Sequence, residues 1–302
     1  MKPLRIGTRG SPLALAQAHM VEEALKASGA VTEVVVMSTS GDRIIDRALM
    51  DIGGKGLFTQ EIEDALLDGR LDLAVHSAKD MPTVLPDGLI LAGYLPREDV
   101  RDCLVTVSGH RLTELPYGAK VGTASLRRGA LVRRIRPDLR IEVFRGNVQT
   151  RLTKLRDGVV SATLLARAGL RRLGLEDVAT EVLDINAFPP AVGQGAIAIE
   201  TRAGDDTLAA ALAPALCRRT AQAVATERAF LAALDGSCRT PIAGHAIVFE
   251  GEVRFTGLIL TPDGSRSHAA RFTGPAADGP QLGFAAGRQL REVAGERFFD
   301  SW

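Results

Sequence analysis

The sequence predicts a mixed α/β protein with two similar α/β domains and a small C-terminal α+β domain. Three observations carry this prediction. Strand-like and helix-like segments alternate over about the first 190 residues, a strand–turn–helix pattern occurs twice, and the pattern changes after about Arg218. Alternation of strands and helices is typical of largely parallel sheets, which bind ligands at the carboxyl ends of their strands.

The first predicted domain contains successive strand and helix patterns. Strands are predicted over Leu4–Thr8, Val31–Met37 and Leu71–His76. Ser11 stands at an N-cap position and Pro12 at the first helical position, which predicts a helix to about Ser28. A second helix, with apolar residues at helical spacing, ends at Gly69.

The intervening segment Ser38–Gly56 is long, polar and glycine-bearing, and it predicts a mobile loop that carries Lys55. Its Gly-Gly-Lys-Gly stretch departs from a phosphate-binding loop. Leu49 stands where the first glycine of that motif is required, and Gly56 replaces its Ser or Thr.

The strand–turn–helix pattern of the first domain is repeated in the second. Val121–Ser125 reads Val-Gly-Thr-Ala-Ser before a helix, as Ile6–Ser11 reads Ile-Gly-Thr-Arg-Gly-Ser before the first one. Further elements are predicted at Leu139–Phe144, Val148–Asp157 and Ala162–Leu165. Two such units, near residues 1–95 and 100–190, predict two α/β lobes that face one cleft.

The last part of the chain has a different pattern. A predicted helix, Thr220–Leu234, leads into the loop Asp-Gly-Ser-Cys-Arg-Thr-Pro-Ile-Ala-Gly, which contains Cys238. Three short β patterns and a final helix follow, at Ala246–Phe249, Val253–Leu260, His268–Phe272 and Gln281–Arg297. This order predicts an antiparallel three-stranded sheet, with Cys238 on the loop that enters the domain.

Composition limits the classes of function. The 302 residues have a formal net charge of +1, with ten Phe, two Tyr and one Trp. The near-neutral charge and the small number of aromatic residues therefore argue against a nucleic-acid-binding protein, which needs a positively charged surface and aromatic side chains on which bases stack. The sequence predicts no secretory signal, no membrane span and no disulfide framework for its three cysteines, which indicates a cytoplasmic protein. The histidines and cysteines show no metal-binding spacing.

Arginines are concentrated between Lys120 and Arg156, at positions 127, 128, 133, 134, 136, 140, 145, 151 and 156. Arg127 and Arg128 fall in the first turn of a helix, where cations oppose the helix dipole unless an anion binds there. Arg145 and Arg151 bracket a turn at a strand end. These four predict a site for a small polyanion such as a polycarboxylate, whereas the others fit a solvated helix face.

The segment His76–Asp80 places a hydroxyl, an ammonium and a carboxylate at a strand end. Ser77 and Lys79 could form the nucleophile and base of an amidase, although no other hydrolase motif accompanies them. Asp80 is the stronger candidate, as a positioned carboxylate. Pairing with Lys79 is the simpler alternative.

Eight motifs occur in order over nearly the whole chain: RGSPLALAQ, GGKGLF, HSAKD, VGTASLRR, RGNVQTRL, AGLRRLGL, PAVGQGA and DGSCRTPI. Together they strongly resemble the porphobilinogen deaminase (hydroxymethylbilane synthase) family of tetrapyrrole biosynthesis. The resemblance implies two lobes built like type II periplasmic binding proteins, with domains at 1–95 plus about 196–213, 100–190 and 218–302. It also implies a monomer that passes its product to uroporphyrinogen-III synthase.

The resemblance further implies a reaction and its residues. Four porphobilinogen molecules are joined head to tail with loss of ammonia, and the linear product is released by hydrolysis. A dipyrromethane cofactor is held by a thioether to Cys238, and Asp80 is the catalytic carboxylate. The residues expected to bind cofactor and substrate carboxylates are Arg9, Ser11, Lys55, Ser77, Lys79, Thr123, Ser125, Arg127, Arg128, Arg145, Gly146, Arg151 and Arg172.

Asp80 is expected to act mainly by stabilising positive charge, because nearby lysines and arginines favour its ionised form. The main alternative function is a two-lobed protein that binds a small anion without catalysis. That alternative gives no role to the third domain or to Cys238.

Overall fold

The computed structural model describes residues 2–39, 59–236 and 240–302. Its strands are β1 (Leu4–Arg9), β2 (Thr32–Met37), β3 (Leu73–Ser77), β4 (Leu89–Tyr94), β5 (Asp102–Thr106), β6 (Lys120–Gly122), β7 (Arg140–Glu142), β8 (Ala162–Ala166), β9 (Glu181–Val182), β10 (Ile197–Arg202), β11 (Ile242–Phe249), β12 (Glu252–Leu260) and β13 (Ser267–Pro275). Lys55, Cys238 and almost all of the predicted loop Ser38–Gly56 lie outside the described residues.

The α-helices of the described residues are α1 (Pro12–Ala27), α2 (Gln60–Leu67), α3 (Leu126–Ile135), α4 (Val148–Arg156), α5 (Arg167–Arg172), α6 (Asp206–Leu212), α7 (Arg218–Ala233) and α8 (Gly279–Ala294). None of these helices is long and apolar enough to cross a membrane.

Two five-stranded sheets with the same topology form the two predicted lobes. The first has the order β2-β1-β3-β10-β4 and the second the order β7-β6-β8-β5-β9. A three-stranded antiparallel sheet, β11-β12-β13, completes the predicted mixed α/β architecture. The fold class predicted from the sequence is confirmed.

The prediction of largely parallel sheets is wrong for half of the pairings in each lobe. Strands β1 and β6 pair in parallel with both neighbours, whereas β10 and β5 pair antiparallel with both of theirs. The antiparallel strands are the two that follow the crossings of the chain between the lobes. The chain enters the second lobe through β5, and it returns to the first through β10.

The repeated Gly-Thr pattern marks equivalent close contacts in the two lobes. A Cβ on Gly7 would lie 2.3 Å from Leu71 Cδ1, and one on Gly122 would lie 2.6 Å from Phe144 Cγ. At both positions a larger residue would therefore clash with an apolar side chain that packs on the strand. Ser11 and Ser125 then cap α1 and α3 as predicted, each accepting a hydrogen bond from a backbone N–H in the first turn.

The C-terminal domain packs α7 and α8 against its sheet. Its core includes Phe230 on α7, which lies 4.9 Å from the Phe255 ring of β12, together with Leu290 on α8. The strands extend further than the sequence predicts, because β11 begins at Ile242 and β13 continues to Pro275. The part of β11 before Ala246 contains small residues such as Ala243 and Gly244. Such residues give no alternation in hydropathy from which a strand could be predicted.

The buried carboxylate of Glu227 joins the C-terminal domain to the chain segments that connect the two lobes. Arg97, in the segment after β4, donates from both Nη atoms to its two oxygens at 2.7 and 3.0 Å. The backbone N–H groups of Gly193 and Ala246 also donate to Glu227, both at 2.7 Å. Four donors thus offset the cost of burying one negative charge, and they tie α7 to the chain between the lobes and to β11.

We expect Glu227→Gln to lower the free energy of unfolding by about 3 kcal/mol, because the partly buried Arg97 guanidinium would lose its counter-charge. Urea denaturation followed by circular dichroism measures this effect. Glu252→Gln is the matched control, since Glu252 lies 4.0 Å from Arg254 on the surface and should change stability by less than about 1 kcal/mol. Equal effects of the two substitutions would contradict the assigned role of Glu227.

Candidate active site in the cleft between the lobes

Asp102, the first residue of β5, is the fully buried centre of a charged network between the lobes. Arg127 Nη2 donates to its Oδ2 at 2.7 Å, and Arg128 Nη2 donates to its Oδ1 at 2.6 Å. Gln194, from the segment that returns to the first lobe, donates its Nε2 to the same Oδ1 at 3.0 Å. The two guanidinium groups hold the pKa of Asp102 far below its usual range despite its burial, so this carboxyl group is ionised.

The structure supplies a protein anion for the two arginines at the start of α3. Arg127 and Arg128 are both buried, and their other Nη atoms donate to the carbonyl oxygens of Pro189 and Leu164. The sequence predicts that these two arginines bind an anion, and in the structure the anion that they contact is the carboxylate of Asp102. Sequence analysis missed Asp102 and Gln194, although Gln194 stands within the motif PAVGQGA.

The carboxyl end of β3 brings Ser77, Lys79 and Asp80 together on the first lobe. Ser77 Oγ lies 3.0 Å from Nε2 and 3.1 Å from Oε1 of the buried Gln17 on α1. The chain does not continue as a strand beyond Ser77, because Ala78–Asp80 form a 3₁₀ turn. The alternation of faces expected for an extended strand therefore does not apply to Lys79 and Asp80.

Lys79 and Asp80 differ in their surroundings. Burial and the neighbouring Arg128 lower the pKa of Lys79 to about 8, while Asp80 and Asp102 act in the opposite direction. Asp80 is exposed, and no hydrogen bond or ion pair links it to another side chain in the described part of the protein. The structure thus presents an accessible carboxylate beside a partly desolvated ammonium group.

The second lobe contributes further cations to this cleft. Arg151 on α4 donates its Nε to the carbonyl oxygen of Gly146 at 2.8 Å. Burial lowers the pKa of Arg151 to about 10, reinforced by Arg128 and Arg145, whereas Asp80 raises it. Since Asp80 acts on both Lys79 and Arg151, the expected catalytic carboxylate lies within electrostatic range of cations from both lobes.

Arg172, the last residue of α5, is held close to the return segment. Its Nη2 donates to the carbonyl oxygen of Gly195 at 2.6 Å, whereas its buried Nε finds no hydrogen-bond acceptor among the described residues. Burial lowers its pKa to about 10. This Nε is therefore available to donate a hydrogen bond to a further acceptor.

The other predicted site residues have local roles or lie elsewhere. Thr123 is buried and accepts a hydrogen bond from the Ser125 N–H at 3.1 Å, and Gly146 has a φ of 122° that favours glycine. Arg9 is half-buried at the end of β1, and Arg145 is half-buried after β7. In the described ranges, no three His, Cys, Asp or Glu side chains form a cluster that could hold a metal ion.

The motif PAVGQGA shapes the cleft through backbone contacts that the sequence did not predict. A Cβ on Gly193 would lie 3.0 Å from Ala78 C and Lys79 N, and one on Gly195 would lie 2.5 Å from the Glu98 carbonyl oxygen. Both glycines have positive φ values, 72° and 84°. Gly193 therefore allows the return segment to pack against the turn that carries Lys79 and Asp80, and Gly195 allows it to pack against the segment after β4 that contains Glu98.

Fold and site together define a class of protein: a two-lobed α/β protein whose cleft is suited to a polyanion and contains one exposed carboxylate. Dipyrrole chains with acetate and propionate groups fit these residues, because a carboxylate would supply the acceptor that Arg172 Nε lacks and would offset the repulsion among Arg151, Arg128 and Arg145.

Comparison with known proteins identifies the family. Residues 4–210 match the family model described as "Porphobilinogen deaminase, dipyromethane cofactor binding domain", and residues 221–292 match "Porphobilinogen deaminase, C-terminal domain". A porphobilinogen deaminase of Nitrobacter hamburgensis is 55% identical over 298 residues, which are 97% of this chain and 94% of that protein. The chain belongs to the porphobilinogen deaminase family.

Solved structures with similar backbones include an ancestral cationic amino acid solute-binding protein, with a TM-score of 0.44 and 15% identity, covering 70% of this chain and 86% of that one. Another is the YehZ protein of Escherichia coli in its apo form, with a TM-score of 0.42 and 12% identity, covering 71% of this chain and 85% of that one.

Membership of this family confirms the function expected from the sequence. The protein is a transferase of tetrapyrrole biosynthesis that condenses porphobilinogen with release of ammonia to give hydroxymethylbilane, and its cofactor is dipyrromethane. Anion binding without catalysis is not favoured, since both the cofactor-binding and the C-terminal family models match.

The pKa of Lys79 predicts a pH dependence of substrate binding. Because that pKa is lowered to about 8, the ammonium form is present below about pH 8 and is lost above it. We expect the KM for porphobilinogen to rise several-fold between about pH 7 and about pH 9. Lys79→Arg should flatten this rise, since a guanidinium keeps its proton. Steady-state kinetics across this range measures both profiles, and coincident profiles would rule out Lys79 as the titrating group.

Proposed function

We propose that the cleft binds the dipyrromethane cofactor and the growing pyrrole chain through their carboxylates, with Asp80 as the catalytic residue. The observation that carries this proposal is the convergence of cations from both lobes on one exposed carboxylate. The binding residues in this proposal are Arg9, Ser11, Lys55, Ser77, Lys79, Thr123, Ser125, Arg127, Arg128, Arg145, Gly146, Arg151 and Arg172.

The proposed binding residues fall into two groups, according to whether their polar atoms are already used in contacts with other protein groups. The strongest candidates for direct contact with carboxylates are Lys79, Arg151 and Arg172. Burial lowers the pKa of all three side chains, so a bound negative charge would stabilise their charged forms. Arg127 and Arg128 use their guanidinium groups on Asp102, although Arg127 Nε is buried with no acceptor in the described residues. In our proposal these two arginines act mainly by their charge.

The covalent anchor of the cofactor is proposed to be Cys238. Cys103 is poorly suited to form a thioether. It is fully buried in the second sheet, and burial raises the pKa of its thiol to about 11, which suppresses the reactive thiolate. Cys217 is half-buried at the N-cap of α7, and although burial opposes the decrease, hydrogen bonds with Thr220 lower the pKa of its thiol. The choice of Cys238 over Cys217 therefore rests on the family motif DGSCRTPI.

Asp80 is proposed to stabilise the positive charge that develops on pyrrole nitrogen when ammonia leaves. When bound, the cofactor supplies the pyrrole α-carbon to which the first substrate is joined. A carboxylate that is fixed before the reaction costs no reorganisation when charge develops. Lys79 and Arg151 lie within electrostatic range of Asp80, and the exposure of Asp80 leaves its oxygens accessible to pyrrole N–H groups.

The proposal also covers organisation and cellular context. We place the domains at residues 1–95 plus about 196–213, 100–190 and 218–302, supported by the membership of β10 in the first sheet. We further propose a cytoplasmic monomer that hands its product to uroporphyrinogen-III synthase. Light scattering of the loaded enzyme, alone and with that synthase, tests the monomer and the handover.

Intact-protein mass spectrometry with peptide mapping tests the anchor. We expect an added mass of two linked pyrrole units on Cys238, and its absence in Cys238→Ser with loss of turnover. Cys217→Ser is the matched control and should keep both the adduct and the activity. An unmodified Cys238 in fully active protein would rule out the covalent attachment.

Substitution of Asp80 tests the catalytic role. Asp80→Asn preserves size but removes the negative charge, so we expect the cofactor to load and kcat to fall by about 100-fold or more. Mass spectrometry verifies loading, and single-turnover assays measure condensation. Asp87→Asn, at a loop position of the same lobe, is the control. If Asp80→Asn turns over at the wild-type rate, Asp80 is not the catalytic residue.

A further inference from the structure

The first lobe contains a buried group of titratable side chains behind the proposed reaction site. Glu63 on α2, His76 on β3 and Glu200 on β10 are all at least nine-tenths buried, and His76 Nε2 lies 2.9 Å from Glu200 Oε2. Oxygen Oε1 of each glutamate is buried and has no hydrogen-bond partner among the described residues. Two carboxyl groups in such a pocket are stable only if protons or cations balance their charge.

The charges around this cluster favour a proton on Glu63. Burial raises the pKa of Glu63, the Glu200 carboxylate adds to the increase, and His76 opposes it in part. Asp64, on the same helix, also raises it. From the opposite side Arg228 on α7 interacts with Glu200. Glu200 contacts His76 directly and interacts with Arg228. Burial and the neighbouring acids favour the protonated form of Glu63, although its hydrogen bond with Thr59 and the nearby His76 oppose the increase in its pKa.

The backbone connects this cluster to the reaction site. His76 is followed directly by Ser77, and the turn with Lys79 and Asp80 comes next. In the register of β3 and β10, Ala198 is opposite His76 and Glu200 is opposite Ala74, so the two side chains meet diagonally on one face of the sheet. Glu63, in the first turn of α2, lies against the same pair.

We propose that Glu200 and Glu63 are positioning residues, which hold the carboxyl end of β3 through His76 and so set the position of Asp80. This inference rests on the proposed catalytic role of Asp80. Neither glutamate is a predicted ligand of the pyrrole chain. Their loss should therefore impair the chemical step more than the binding of substrate carboxylates.

The first test compares Glu200→Gln with the exposed control Glu23→Gln. A displacement of about 1 Å in a catalytic group can lower the rate about 100-fold, so we expect kcat of Glu200→Gln to fall about 10- to 100-fold. KM should change less than about threefold, and the mass of the loaded protein should be retained. A wild-type kcat, or an effect confined to KM, would overturn the proposal.

A double-mutant cycle with His76→Asn separates positioning from general destabilisation. If Glu200 acts through His76, the double variant should lose no more kcat than the worse single variant. Losses that multiply would overturn the coupling. Asp80→Asn is measured in parallel: wild-type turnover there would refute the proposed function, whereas it would leave the measured coupling between Glu200 and His76 intact.

Glu63→Gln provides a test with a neutral side chain of the same size. Since the folded-state pKa of Glu63 is raised, the folded protein binds the extra proton, and stability falls as pH rises from the unfolded pKa through the folded one. Glu63→Gln should match the wild type near about pH 4 and become the more stable protein by about pH 8. Its kcat should also fall less than that of the wild type as the pH increases. Parallel melting and kcat profiles would overturn the proposal even if Glu200→Gln fails to fold.

Discussion

The buried carboxylate of Asp102 is the constraint on which the architecture of the cleft depends. Its negative charge is compensated twice, by Arg127 and Arg128, and Gln194 adds a third side chain from the return segment. Removing Asp102 would leave two buried guanidinium groups without a counter-charge, at a cost of several kcal/mol. The start of α3, the first residue of β5 and the return segment are therefore held together by one side chain.

This network also explains why the cleft is positive. One carboxylate between two guanidinium groups leaves an excess positive charge, and Arg128 is the leading charged neighbour that lowers the pKa of both Lys79 and Arg151. Such like charges in a partly desolvated space favour bound anions, because a carboxylate relieves both repulsion and desolvation. A substrate that carries two carboxylates on each pyrrole unit would therefore reduce the repulsion among the cations of the cleft. Asp80 provides an accessible negative charge within electrostatic range of both cations.

The sequence predicts those parts of the protein that depend on local patterns. Caps at Ser11 and Ser125, the alternation of strands and helices, and the motif with Asp80 could all be identified without coordinates. Asp102 could not be identified from local patterns, because it stands 25 and 26 residues before its partners and outside the segment in which the arginines are concentrated. Likewise local patterns could not predict the antiparallel pairing of β5 and β10, since that pairing depends on how the chain crosses between the lobes.

The two strands that follow the crossings between the lobes share a further property. Strands β5 and β10 occupy equivalent places in the two sheets, and each carries a buried acid that pairs with a basic side chain of the lobe it enters. Asp102 meets Arg127 and Arg128 in the second lobe, and Glu200 meets His76 in the first. A buried acid without its base is costly, so each strand is stable only in the correct lobe and register. The buried acids Asp102 and Glu200 thus fix the positions of β5 and β10, and they lie behind the groups that face the cleft. The same side chains therefore set both the specificity of the fold and the geometry of the site.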